Sequence, residues 1–214
     1  LQHLCSCLKA KDQAPIIFLD VGANVGNHAL FMSNIADEIH CFEPYEKVWR
    51  ILENRSRTNG LSNIIIHPIA LSEKDGTAEF WEPENANLGK GTLVSPDHNS
   101  RGSTKTIQVR SGDAYLDEVG IGDISLLKID VEGYEPSVLR GLSKTLMRCR
   151  PPILMELLEE TRREVSNEIG LRKLFYDNCT MFSVRRTRSG SYRLEEFSFR
   201  NAREILIIPS ELDI

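Results

Sequence analysis

At 214 residues the chain is long enough to enclose a real hydrophobic core. Its 26 basic and 31 acidic side chains give a formal charge of −5, which argues against DNA or RNA as the main partner, because phosphate binding usually shows as a basic surface. No apolar run approaches the ~18 residues that a membrane-spanning helix needs.

In chain order, residues 1–15 form an N-terminal segment of unclear role. It opens on Leu1 rather than Met, as expected of a fragment or a processed chain, and shows no secretory apolar core. "IIFLDV" (16–21) is a continuous apolar run of the kind buried on both faces of a parallel sheet. "NHALFMSNIA" (27–36) follows as a helix and "EIHCFEP" (38–44) as a second strand. Pro44 stands where a helix begins, and its missing N–H costs nothing there. Tyr45, Val48, Ile51 and Leu52 then share one helical face, and Gly60 is the stop.

"NIIIHPIAL" (63–71) is expected to be a third strand. "GTAEFWE" (76–82) and "KTIQVRS" (105–111) alternate in polarity and suggest an inserted antiparallel pair. The long polar loop between them, 83–103, is expected to cover an acceptor. Trp81 at its base is either a stacking surface for a sugar or edge packing. "ISLLKID" (124–130) is a buried strand, followed by a helix with Val138, Leu139, Leu142 and Leu146 on one face. "PPILMEL" (151–157) is a fifth strand and 165–177 a helix. "CTMFSV" (179–184) and "EILIIP" (204–209) close the chain as a β–β pair, with "VRRTRSGSYR" (184–193) as a solvated hairpin tip. Strands alternating with helices predict an α/β fold with a mostly parallel sheet, and no internal boundary divides residues 1–214. Cys5, Cys7, Cys41, Cys149 and Cys179 are odd in number and scattered, which suits free thiols in a reducing, cytoplasmic compartment.

The stretch "FLDVGANVGN" carries the functional signal: strand, glycine turn, helix. A nucleoside triphosphate would need Lys followed by Ser or Thr after the glycines, and "GNH" stands there. A dinucleotide wants G-x-G-x-x-G, and Asn24 is off that register. S-adenosylmethionine has no phosphate but carries a sulfonium and an ammonium. Asp20 at the strand end suits that charge, directly or through water. Gly22 and Gly26 let the backbone turn beneath a ligand. The following helix start offers N–H groups to a carboxylate, with His28 beside it. Glu43, roughly 20 residues on, can accept both ribose hydroxyls, a role shared with NAD proteins.

With that stretch and "LLKIDVEGYEPSVLRG" (126–141), the chain resembles the FkbM family of S-adenosylmethionine-dependent methyltransferases over roughly residues 16–209. The resemblance implies a class I methyltransferase fold: a Rossmann-like three-layer sandwich with a seven-stranded sheet, order 3-2-1-4-5-7-6, strand 7 antiparallel. It implies O-methylation of a hydroxyl on a sugar, polyketide or glycolipid-type acceptor. By motif, Asp20, Gly22, Ala23, Asn24, Gly26 and Asn27 would line the methionine end of the cofactor. Glu43 and Pro44 would meet the ribose and adenine, and Ala70 the adenine.

A hydroxyl becomes a good nucleophile only when a base takes its proton. Asp130 and Glu156 end adjacent strands and are the candidates, as base or as ligands for a divalent cation. Glu132 and Glu135 follow at a helix start, where acids are favoured in any case. His98 in the long loop is a further candidate base. His3, His40 and His67 are expected to be incidental or packing. Two rivals remain at this level: a nucleotide-dependent oxidoreductase or epimerase, for which no Tyr-x-x-x-Lys pair is present, and a non-catalytic protein that keeps the fold.

Overall fold

A computed structural model describes residues 4, 8, 14–82, 91–94, 103–188 and 190–212. The main sheet holds β1 (Ile17–Val21), β2 (Glu38–Phe42), β3 (Ile64–His67), β7 (Leu126–Ile129), β8 (Ile153–Glu156), β9 (Cys179–Arg186), β10 (Tyr192–Glu196) and β11 (Glu204–Pro209). Its order is β10-β9-β11-β8-β7-β1-β2-β3. β8, β7, β1, β2 and β3 run parallel, whereas β11 is antiparallel to both its neighbours and β10 to β9.

Both faces are buried, which is why the strand sequences are continuously apolar. Along β11, Ile205 and Ile207 pack into one cluster, Leu206 and Ile208 into the other. The first cluster is covered by α3 (Gly112–Val119), α4 (Glu135–Gly141), α5 (Ser143–Cys149), α6 (Glu159–Val165) and α7 (Glu168–Arg172), through residues such as Leu116, Val138, Leu139, Leu146 and Leu171. The second is covered by α1 (Asn27–Met32) and α2 (Glu46–Thr58), through Ala29, Met32 and Leu52, and Leu4 of the N-terminal segment joins it. No helix among the described residues is long and apolar enough to cross a membrane.

Several expectations are corrected. The main sheet has eight strands rather than seven: β10 pairs with the outer edge of β9 and lies in sequence between β9 and β11. The third strand does not run through to Leu71. Pro68 has no N–H to give to a ladder, so β3 stops at His67 and the Ile69 N–H turns back to the His67 carbonyl at 2.8 Å. The chain re-forms as β4 (Ala70–Ser72) in a second sheet with β5 (Gly76–Trp81) and β6 (Thr104–Ser111), order β4-β6-β5. The insert is therefore three-stranded, with β5 and β6 antiparallel and β4 parallel to β6. Residues 165–177 are not one helix: Ser166 adopts φ 66° and ends α6, and the Asn167 side chain caps α7 by accepting the Gly170 N–H at 2.9 Å. Cys41, Cys149 and Cys179 are free thiols, while Cys5, Cys7 and His3 lie outside the described residues.

Candidate active site

β1 is followed by a connection to β2 on one side, while β7 lies on its other side. The crevice at the carboxyl ends of β1 and β7 is thus the point where strand order reverses, the usual ligand position in open α/β sheets. A cavity of about 320 Å³ opens there, within the size range of small-ligand sites. Gly22, Asn24, Glu43, Pro44, Ala70, Asp130 and Glu156, all named from the sequence, line it.

The glycine turn is built for close approach. Gly22 adopts φ 78°, and a Cβ there would lie 1.9 Å from the Asp130 carbonyl oxygen. Only a residue without a side chain lets the β1 and β7 ends meet this closely. Asn24 also sits in the left-handed region at φ 51°, which Asn tolerates better than most residues. Its Oδ1 accepts the Val25 N–H at 2.7 Å, and its own N–H donates to Glu43 Oε2 at 3.0 Å.

Glu43 is the buried acid of the cavity wall. Its Oε1 accepts the Tyr45 N–H at 2.9 Å. Burial pushes its carboxyl up to about 7, against the two backbone N–H groups that favour the charged form. Each oxygen accepts one backbone hydrogen bond and keeps acceptor capacity toward the cavity.

Asp20 departs from expectation. It is fully buried beneath the cavity and does not line it. Lys128 is its cross-strand neighbour on β7, and the buried Lys128 ammonium lies 3.3 Å from both Asp20 Oδ1 and Asp130 Oδ2. Burial works against this ammonium, yet the two carboxylates hold its pKa above the ordinary lysine range. Neither Asp20 oxygen has a well-aligned hydrogen bond, so Lys128 satisfies the charge rather than the acceptor geometry. Lys128 was illegible in sequence because a lysine inside "LLKID" looks like an interruption of the strand; only the register reveals the pair.

Ala23, Gly26 and Asn27 are also off the cavity wall. Ala23 and Gly26 are buried behind the turn, and Asn27 points to Arg55, whose guanidinium donates to Asn27 Oδ1 at 3.2 Å and to the Val25 carbonyl at 2.9 Å. Ala23 stands in the turn, and Gly26 and Asn27 open the helix that follows it.

Asp130 and Glu156 face the same cavity from adjacent strands, joined by Glu132. One carboxylate oxygen from each of the three lies within 4.8 Å of the others. Burial, and then the neighbouring Asp130 charge, raises the Glu156 pKa. Glu135 is more than a helix-start acid. It is fully buried, and its Oε1 accepts the Val131 and Gly133 N–H groups, each at 3.2 Å, while Thr161 donates to Oε2. That carboxylate fixes the turn carrying Asp130 and Glu132.

Of the long loop, residues 91–94 and 103 are described. Gly91 and Leu93 line the cavity, and Thr92 Oγ1 donates to the Glu132 carbonyl at 2.8 Å. His98 lies outside the described residues. Trp81 does not line the cavity, whereas its neighbour Phe80 does, because successive strand residues face opposite ways. Trp81 instead forms a backbone bridge to Thr92. His40 and His67 are packed inside, with His40 Nδ1 and His67 Nε2 3.1 Å apart and His67 Nδ1 3.1 Å from the Tyr115 hydroxyl.

The model of the methyltransferase FkbM domain matches residues 20–194. Curated relatives include the hexuronic acid methyltransferase AglP of Haloferax volcanii, 31% identical over 131 residues, covering 61% of this chain and 51% of that protein. The 2-O-methyltransferase NoeI of Sinorhizobium fredii is 26% identical over 163 residues, covering 70% of this chain and 65% of that protein. The matches thus span about half to two thirds of those relatives. Among solved structures, an FkbM methyltransferase from Methylobacillus flagellatus superposes with a TM-score of 0.59 at 16% identity, covering 90% of this chain and 43% of that one. A Streptococcus mutans structure determined in complex with S-adenosylhomocysteine gives 0.50 at 11%, covering 95% and 93%. At these identities the structures establish the class I methyltransferase fold, a mostly parallel mixed sheet. The family model covers most of the chain, from the acid that ends β1 to the β9–β10 hairpin, and the chain therefore belongs to the FkbM methyltransferase domain family.

Proposed function

We propose that the chain transfers a methyl group from S-adenosylmethionine to a hydroxyl of a sugar-type acceptor. The observation that carries this reading is the cavity at the switch point, where Glu43, a buried carboxylate held by two backbone N–H groups, meets the Gly22–Asn24 turn and where no Lys or Arg among the lining residues stands ready for a phosphate. The residues fit the cofactor. Glu43 suits the ribose diol, and the Gly22–Asn24 backbone suits the methionine end. Pro44, Phe42, Ala70 and Leu71 offer an apolar slot for adenine. Asp20 lies beneath the turn with both oxygens lacking an aligned partner and shares the Lys128 ammonium with Asp130, so it keeps acceptor capacity for the cofactor's ammonium, directly or through water. Two relatives named for hexuronic acid and 2-O-methylation support a sugar hydroxyl as acceptor.

When bound, S-adenosylmethionine supplies a methyl carbon already activated by sulfonium. Asp130 or Glu156 would accept the acceptor hydroxyl's proton as its oxygen takes up the methyl group. Burial and then the Asp130 charge raise the Glu156 pKa, the direction that strengthens it as a base. Phe80, Leu93 and Leu71 give the cavity its apolar wall. The comparisons give no support for a divalent cation, and no step needs one.

Calorimetry of the full chain with S-adenosylmethionine, S-adenosylhomocysteine and NAD tests the assignment. Binding of the first two, weakened at least tenfold by Glu43→Ala, is expected. NAD binding alone would favour the oxidoreductase reading, and no binding of any would favour a scaffold.

A further inference from the structure

A second cavity, of about 480 Å³, opens at the same sheet edge over β7, β8, β9 and β11. It shares Asp130 and Glu156 with the first, so these acids stand between the two spaces. Its outer wall differs in character. Arg185 and Arg186 end β9, Arg203 precedes β11, and Tyr192 begins β10. In a chain of net charge −5 this is a local concentration of guanidinium groups.

Their pairing is uneven. Arg203 lies 3.4 Å from Glu156, and Arg185 lies 3.5 Å from Glu195 and donates to the Asn201 carbonyl. Arg186 has no carboxylate partner among the described residues, and it is directly opposite Tyr192 in the antiparallel β9–β10 register. Tyr192 is 65% exposed. On the floor, Lys128 is engaged by both Asp20 and Asp130 and offers no free cation to a ligand. Glu204, the remaining acid of this wall, is partly buried and has a raised pKa, through burial and then through Asp130. His28, also lining the space, is pushed toward its neutral form by burial and by Lys128. The available charge at the mouth is therefore that of Arg186, with an aromatic ring beside it.

We propose that this second cavity is the acceptor subsite and that Arg186 selects a sugar bearing a carboxylate. The guanidinium fork matches a carboxylate with two parallel hydrogen bonds. The Tyr192 ring offers a face for the C–H side of a pyranose. A sugar held there presents a ring hydroxyl toward Asp130 and Glu156. The assignment rests on the methyl-transfer reading for its purpose, but not for its binding chemistry.

The test uses the full chain saturated with S-adenosylhomocysteine and titrated with methyl β-D-glucuronide or methyl β-D-glucoside, followed by calorimetry and by amide chemical shifts. The glucuronide is expected to bind at least tenfold more tightly and to shift amides of β9 and β10. Arg186→Gln should abolish that preference, and Arg186→Lys should retain part of it. Neither should change S-adenosylhomocysteine affinity more than twofold. Equal binding of the two sugars, binding of neither, or a preference that survives Arg186→Gln overturns the subsite. Failure of S-adenosylhomocysteine to bind, with the glucuronide preference intact in the unliganded chain, sinks the methyl-transfer reading alone.

Discussion

Glu43 shows what one buried side chain does when its surroundings oppose its charge. Its carboxyl sits near 7, so the empty site holds a mixture of protonation states around neutrality. Two ribose hydroxyls donate only to a site with lone pairs to offer, and they favour the ionised form. Cofactor binding should therefore release protons between pH 5 and 7, and affinity should rise with pH through that window. Calorimetry in buffers of different ionisation enthalpy measures the release, which Glu43→Gln should remove. Gln has one acceptor oxygen where Glu has two, so one of the Asn24 and Tyr45 N–H groups loses its partner, at about 1–3 kcal/mol. At Asp130 the expectation is different. Asp130→Asn keeps the volume but loses the base and half of the Lys128 counter-charge. Turnover should fall at least a hundredfold, while S-adenosylhomocysteine affinity changes little. Unchanged turnover would move the base to Glu156.

Elements were legible where one rule governs them. β1, β7, β8 and β11 are apolar on both faces, and their runs stand out because both faces meet packed helices. β10 was missed for the opposite reason: "YRLEE" is mostly exposed on an edge, where pattern carries no burial signal. α3 was missed because it follows β6 without a break, its N-cap being the last residue of that strand. The third strand was over-extended because apolarity continues past Pro68, although the ladder cannot. Of the site, the residues on parallel strand ends were readable, as Glu43, Asp130 and Glu156 are. Lys128 and Arg186 were not, since each acquires meaning only from a cross-strand neighbour. The start of α4 offers a test at this scale. Glu135→Ala strands the Val131 and Gly133 N–H groups and the Thr161 hydroxyl inside the protein. A loss of about 2–5 kcal/mol is expected in urea unfolding, with turnover falling in the folded fraction. A stability change under 1 kcal/mol would show that the turn holds itself.

Over the whole molecule, two buried groups set opposite pH slopes. His67 is held at about 4, by burial first and by His40 second. Its folded pKa lies below its unfolded value, so its contribution to stability is complete above about 6.5 and disappears as pH falls toward 4. Glu43 behaves in reverse: its folded pKa is raised, so its contribution is complete below about 4.5 and disappears as pH rises through 7. Between pH 5 and 6.5 these two oppose each other, superposed on the slopes of the raised Glu135, Glu156 and Glu204 carboxyls and the lowered His28 and His40. Glu43→Gln should expose the histidine slope, with midpoints falling on acidification. His67→Phe should expose the carboxyl slope, with midpoints rising. Urea titrations of both variants across that range measure the signs, and identical profiles would remove either group from the account.

The absent side chain at Gly22 joins the end of β1 to the end of β7. Because the backbone after β1 rests directly on the Asp130 carbonyl, the glycine turn and the Asp130 carboxylate share one close-packed joint. Drift in acceptor choice must then be worked out at a distance from that joint, on the outer strands, where replacements leave the reacting geometry undisturbed.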